Sequence, residues 1–319
     1  MQKPHDDSKA CLTAFIQDST LTVVIEMSLA SWLVAGMIPG VNREPLKKIA
    51  PNPEVLLQLL HRWRDEAIKA GKEITRIAVA YETGRDGFWL ARWLRARGID
   101  AHVIHATSVA ISREHRRAKT DRIDTAMLRR GFLGWLRGEP GHCSMAIVPT
   151  VEEEDAKHPH RERETLIKQR TSTVNRMKSI LIKFGVRDFN PALRKAPAKL
   201  ASVRTPEGIP LPSNAVAALQ RHMQRFSIIK EQIKAIERTR LQRLQRDPTE
   251  KFNAMVFLLV RIIGFGVETA QQLVHEMLSR SLRDRKAVAR YAGLTGSPDE
   301  SGSKRREKGL SRSGNERVR

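Results

Sequence analysis

The chain has only two cysteines in 319 residues, Cys11 and Cys143, and they match no zinc-binding spacing. A disulfide framework and a thiolate metal site are thereby excluded, and a reducing compartment fits best. Aromatic residues make up 5%. Stacking of bases on aromatic platforms cannot then dominate recognition of a nucleic acid. No apolar run is long enough to anchor the chain in a membrane, and the N-terminus, with Asp6 and Asp7 and no apolar core before Phe15, does not read as a secretory signal. Acids are scarce as well: 35 Asp and Glu face 57 Lys and Arg, for a net charge of +22 and a pI near 10.7. An excess of that size points to a polyanion, most simply a nucleic acid held through its phosphates. The cations are spread along the chain, which weakens a membrane-surface reading.

The acids that are present fall in a pattern. Asp121 and Asp124 stand three apart at the start of a helical stretch whose apolar stripe is Ile123, Met127 and Leu128. Residues three apart share one helix face. An N-terminal acidic turn that complements the helix dipole explains such a pair equally well, so the upstream acids decide. Residues 1–18 read as a polar, flexible N-terminus. Leu21–Met27 and Ser31–Ile38 read as paired buried strands, with a short third strand near Leu46–Ile49. A helix from Pro53 stops at Gly71, a strand runs over Ile74–Ala80, a helix over Asp86–Arg97, and a last short strand over Ala101–His105. An antiparallel meander followed by alternating helices and strands predicts a mixed α/β sheet in the order of the ribonuclease H-like fold. Glu26 ends the first strand and Glu82 the fourth. With Asp121 and Asp124 they make four carboxylates able to converge beyond the strand ends, a donor set of hard oxygens suited to Mg²⁺, with Mn²⁺ able to substitute. Two such ions serve phosphodiester chemistry.

Residues 137–160 read as a linker, and His158 and His160 as part of a solvated loop rather than metal ligands. Long helices follow over Arg161–Phe184 and Asn214–Gln245, separated by a proline-rich loop. Both carry apolar residues at three- and four-residue steps, which predicts a coiled-coil-like pair. The first is also basic, through Arg161, Arg163, Lys168, Arg170, Arg176, Lys178 and Lys183. From Phe252 an apolar helix leads into Gly264-Phe265-Gly266, a turn like the helix-hairpin-helix element that grips a nucleic-acid backbone. A plain helix–helix turn is the equal alternative. A short helix over Arg285–Gly293 precedes a loop read as flexible, in which serines stand among Lys304, Arg305, Arg306, Lys308 and Arg312. A serine hydroxyl beside cations can attack phosphorus, although a solvated basic loop explains any single serine.

Two sets of residues carry a family resemblance. YETGRDGFWLARWLRARGIDAHVIHATSVA with REHRRAKTDRIDTAML, and RIIGFGVETAQQLVHE with RYAGLTGSPDESGSKRREKGLSRSGNERVR, resemble the transposases of the insertion-sequence one-ten family in the expected order. The resemblance implies a RuvC-like DEDD domain (19–150), a helical coiled-coil region (151–250) and a mostly α C-terminal transposase domain (251–319). It implies Glu26, Glu82, Asp121 and Asp124 as metal ligands. It also implies Ser301, beside Gly302 and Lys304, as the nucleophile of a site-specific recombinase, and Gly264, Gly266 and the basic residues from Lys304 to Arg312 as nucleic-acid contacts. The implied partners are element-end and target DNA, a structured guide RNA, and further copies of the chain as a dimer or tetramer. The implied setting is the cytoplasm, at the nucleoid. Two departures stand out. Glu26 occupies the place where the family usually has Asp, and Arg319 ends the chain inside the basic motif, which reads as a shortened copy. A junction-resolving nuclease using the carboxylates alone, and a remnant that binds without cutting, stay open.

Overall fold

In the computed structural model the described residues are 15–84, 87–105, 108, 121–139, 141–280, 282–301, 304–311 and 314–319. The chain divides into two compact units, Met1–Val151 and Glu152–Arg319.

The first unit is built on a six-stranded mixed sheet of order β3-β2-β1-β4-β5-β6. Strand β1 (Thr20–Met27) is buried on both faces as far as Ile25, as its unbroken apolar and β-branched run requires of a central strand. It turns into β2 (Trp32–Met37) through a tight loop in which the Ser28 hydroxyl donates to the Ser31 carbonyl at 2.6 Å. Strand β3 (Leu46–Ile49) adds antiparallel to β2. Helix α1 (Pro53–Lys69) starts at Asn52, whose side chain accepts from the Glu54 and Val55 amides, with proline in the first turn. It returns the chain so that β4 (Arg76–Glu82) lies parallel to β1. Helix α2 (Trp89–Arg95) then leads to β5 (Asp100–Ile104), parallel to β4. One face of the sheet packs on α1 and α2 through Leu56, Leu60, Trp63, Leu90 and Leu94. The other packs on α3 (Asp121–Leu136) through Leu128, Phe132 and Leu136, over Val24, Ala78 and Ala80.

The segment expected as a linker holds two more elements. Met145–Ala146 forms β6, antiparallel to β5, and Val151–Asp155 forms the short helix α4. A two-residue strand is too short to show any periodicity.

In the second unit α5 (His158–Lys183) and α7 (Ser213–Arg246) pack antiparallel, as the pairing of Arg163 with Glu237 at one end and the packing of Leu181 with Leu219 at the other require. The loop between them folds over this end, with α6 (Ala196–Lys199) and Leu211 in the same apolar cluster. His158 and His160 open α5 instead of lying in a solvated loop, and His160 is half-buried. Helix α8 (Lys251–Val260) turns through Gly264 into α9 (Val267–Leu273), which runs on into a π-helical turn, Val274–Leu278. After α10 (Arg285–Tyr291) the segment expected as a flexible loop forms a hairpin of β7 (Gly296–Ser301) and β8 (Lys304–Leu310). Its register sets Asp299 opposite Arg306 and Glu300 opposite Arg305. Neither strand shows hydrophobic alternation, so the apolar pattern was silent.

Candidate active site

Parallel pairing of β1 and β4 aligns Ile25 with Tyr81, so the next residues, Glu26 and Glu82, sit side by side at the carboxyl-terminal edge of the sheet. Both are half-buried. The direction of α3 brings further acid to that edge. At its far end Arg137 donates to the Gln17 side chain at 3.4 Å, just ahead of β1. The helix therefore runs antiparallel to β1, and its first turn lies toward the strand ends that carry the two glutamates. Asp124, in that turn, is half-buried, and the adjacent Thr125 is buried. Asp121 opens the helix, but its side chain lies outside the described residues.

The donor set fits a hard divalent cation by chemistry, since every member is a carboxylate. Among the described residues no three His, Cys, Asp or Glu side chains group closely enough to hold a metal ion. At the opposite edge of the sheet, Asp100 is paired with Arg76 and lies 2.8 Å from His102. Burial alone would raise the Asp100 carboxyl, but His102 and Arg76 outweigh it and hold it well below the usual carboxylate range.

Ser301 and Lys304 are the last residue pair of the β7–β8 hairpin. Gly302, Ser303, the side chains of Ser301 and Lys304, and Arg312 lie outside the described residues. Arg305, Arg306 and Lys308 are exposed along β8. Gly264 adopts φ +90, which only glycine takes readily. Gly266 has φ −77 and open space where a Cβ would stand. It is the N-cap of α9, a position glycine suits.

Sequence reasoning missed the polar core of the second unit. Arg240, 6% exposed, donates to Glu268 and Gln271 and lies 2.9 Å from His160 Nδ1. Arg163 reinforces Glu268 at 3.2 Å. Burial, then Arg240 and His275, push the His160 imidazole down to about 3, and His275 shifts the same way for the same first cause. A second knot holds the hairpin's exit. The Asn315 amide side chain donates to Glu276 at 3.1 Å, and the Tyr291 hydroxyl donates to the Glu276 carbonyl at 2.9 Å. Gly314, φ +136, passes so close that a Cβ would stand 2.6 Å from the Gly293 nitrogen. A cationic helix face and a short Ser-Gly-Asn run carried no signal for either knot.

The sequence of this chain is 38% identical over 306 residues to y4rJ of Sinorhizobium fredii (strain NBRC 101917 / NGR234), whose name marks it as a transposase; the match spans 93% of this chain and 77% of that protein. The profile of the IS116/IS110/IS902 transposase family matches residues 257–319. The chain belongs to this transposase family. A transposase for insertion sequence element IS1328 of Yersinia enterocolitica is 31% identical over 132 residues, 41% of this chain and 36% of that protein. No solved structure matches the chain. The family profile covers the α8–α9 turn, the β7–β8 hairpin and the docked tail, so Gly264, Gly266 and Ser301 all fall within it.

Proposed function

We propose that this family member cuts and rejoins DNA at the ends of its element by serine-based phosphoryl transfer, assisted by Mg²⁺ at the Glu26–Glu82 edge and directed by a structured RNA. The observation that carries the reading is the arrival of Glu26, Glu82 and the first turn of α3 at one sheet edge in a chain of this family. The strand order β3-β2-β1-β4-β5, antiparallel and then parallel, supports a ribonuclease H-like, RuvC-like reading of the first unit. The long α5–α7 pair supports a coiled-coil region that can also serve assembly of copies.

Glu26, Glu82, Asp121 and Asp124 would hold the metal, which when bound neutralises charge on the phosphate under attack. Ser301 would supply the nucleophile. Its hydroxyl oxygen forms a bond to phosphorus as one DNA ester bond breaks, and the serine proton passes to the departing DNA oxygen. A hydroxyl of a second strand then attacks the phosphoserine, the DNA ester re-forms and Ser301 regains its proton. One phosphoester is exchanged for another at each step, so no nucleotide cofactor is consumed. Arg305, Arg306 and Lys308, with the Lys304 and Arg312 positions beside them, would hold the phosphates near Ser301, and the Gly264-Phe265-Gly266 turn would admit a backbone phosphate closely.

The test is a covalent-adduct assay with element-end DNA, the flanking non-coding transcript and Mg²⁺. Wild-type chain should form a protein–DNA adduct that Ser301→Ala and Asp121→Ala both lose. Cleavage without an adduct, lost in Asp121→Ala alone, would replace the serine reading by a junction-resolving nuclease. Binding with neither cleavage nor adduct would mark a chain that holds nucleic acid without recombining it.

A further inference from the structure

Half of the chain's net charge sits on one end of the α5–α7 pair. Residues 165–230 carry thirteen Lys and Arg against two acids, Asp188 and Glu207, for a net +11 out of +22. These cations are all exposed. Among the described residues Lys168 pairs with Glu164, whereas Arg170, Arg176, Lys178, Lys183, Arg221 and Arg225 have no ion pair. A structural role would have matched them with acids, as it does at the other end of the same helices, where Arg163 meets Glu237 and Arg240 meets Glu268.

Between these cations, Lys168, Thr171, Ser172, Asn175, Arg176 and Ser179 recur at helical steps on one open face of α5, with Ile167 beside them. Lys168 to Lys183 spans roughly 22 Å of helix axis at about 1.5 Å per residue. Hydroxyl and amide donors set between cations are the groups that contact phosphate and sugar oxygens. The segment has no tryptophan or tyrosine, and its phenylalanines Phe184, Phe189 and Phe226 pack on the apolar cluster. Stacking with a single strand has no platform here. Both helices contribute to one field: burial and then Arg225, Arg176 and Arg221 lower the proton affinity of His222.

We propose that this end of the α5–α7 pair is a docking platform for duplex DNA, held by its phosphates irrespective of sequence, and separate in the chain from the acidic edge and from the basic hairpin around Ser301. The commitment to DNA rests on the transposase reading above; the commitment to a duplex rests on two rigid helices bearing cations and small donors without aromatics.

The experiment measures binding of the full chain to a duplex of arbitrary sequence, in EDTA so that no strand is cut, between about 50 and 200 mM KCl. A fourfold variant, Arg176→Gln, Lys178→Gln, Arg221→Gln and Arg225→Gln, is compared with one losing the same charge elsewhere: Lys47→Gln, Lys48→Gln, Arg62→Gln and Lys69→Gln. The platform variant should bind roughly tenfold more weakly or worse, with the salt slope reduced by about 3 to 4, because each lost phosphate contact removes about 0.9 from it. The control variant should change affinity by less than about twofold, since distant charges are screened. Equal losses in the two variants, or no loss in the first, would overturn the platform. So would retention of DNA binding with loss of a double-stranded RNA, which would assign the surface to RNA. A chain that forms the serine adduct with its platform removed and its affinity intact fails this inference alone. A chain that never forms the adduct yet loses affinity with the platform fails the recombinase reading alone.

Discussion

At the residue scale, single contacts explain positions that composition leaves anonymous. Gly36 pairs with Val23 in β2, and a Cβ there would stand 2.6 Å from the Trp63 ring, itself 1% exposed. Gly36→Ala should therefore cost about 1 to 3 kcal/mol of stability from overpacking. Urea unfolding followed by tryptophan fluorescence measures it, and adding Trp63→Leu should recover part of the loss. A midpoint unmoved by Gly36→Ala would refute the contact. Arg240 poses the opposite problem, a buried cation whose removal takes a partner from Gln271 and leaves Glu268 to Arg163. Arg240→Ala should destabilise the second unit by about 3 to 5 kcal/mol, and Arg240→Met by less, since an apolar stem fills the same space. Thermal melting followed by far-ultraviolet circular dichroism would show the order of the two variants.

At the element scale, α3 does two jobs that mutation can separate. Its buried face docks it on the sheet, and its first turn carries acid to the strand ends. Phe132 is fully buried against that sheet, so Phe132→Ala should cost about 3 to 5 kcal/mol. Asp124→Asn keeps the shape of a half-buried side chain and should leave the melting midpoint within the small range of surface changes, while abolishing the covalent adduct. If Asp124→Asn melted like Phe132→Ala, the acid would be a structural cap and its place in the site would fall. The same scale shows which elements were legible. Strands β1, β2 and β4 and helices α1, α5 and α7 appear where runs of β-branched residues or three- and four-residue apolar steps predict them. The β7–β8 hairpin did not, because its strands show no apolar alternation, and β6 did not, because two residues display no pattern.

At the scale of the whole molecule, the two units should respond differently to acid. The five tryptophans, Trp32, Trp63, Trp89, Trp93 and Trp135, all lie in the first unit, so fluorescence reports that unit, while the long helices of the second weigh on circular dichroism. His160, held down to about 3 when folded, takes up a proton near pH 6.5 once unfolded. Between those values the unfolded chain binds the proton and the folded chain does not, so the second unit loses stability as the pH falls from about 6.5. His275 acts in the same direction. Asp100 in the first unit is a depressed carboxylate, whose contribution persists above about pH 4 and is lost only below it. On going from neutral pH to about pH 5, the melting midpoint by circular dichroism should fall while the fluorescence midpoint holds. Midpoints that move together would contradict the separate origins of the two shifts.

The sequence alone determined the mixed α/β character of the first half, the long helix pair and the family, because each is written in local periodicity or in runs of residues that need no partner to be recognised. It also singled out Glu26, Glu82 and Asp124, since an acid at the end of an apolar strand or in a helix's first turn is visible before folding. Only the tertiary structure decided that Glu26 and Glu82 stand side by side, because that depends on the parallel register of two strands separated by α1. Only it decided that α3 runs back along β1, that His160 is half-buried against Arg240, and that Asn315 ties the chain to Glu276. Those are long-range contacts, and no local pattern encodes which distant partner a polar side chain will meet.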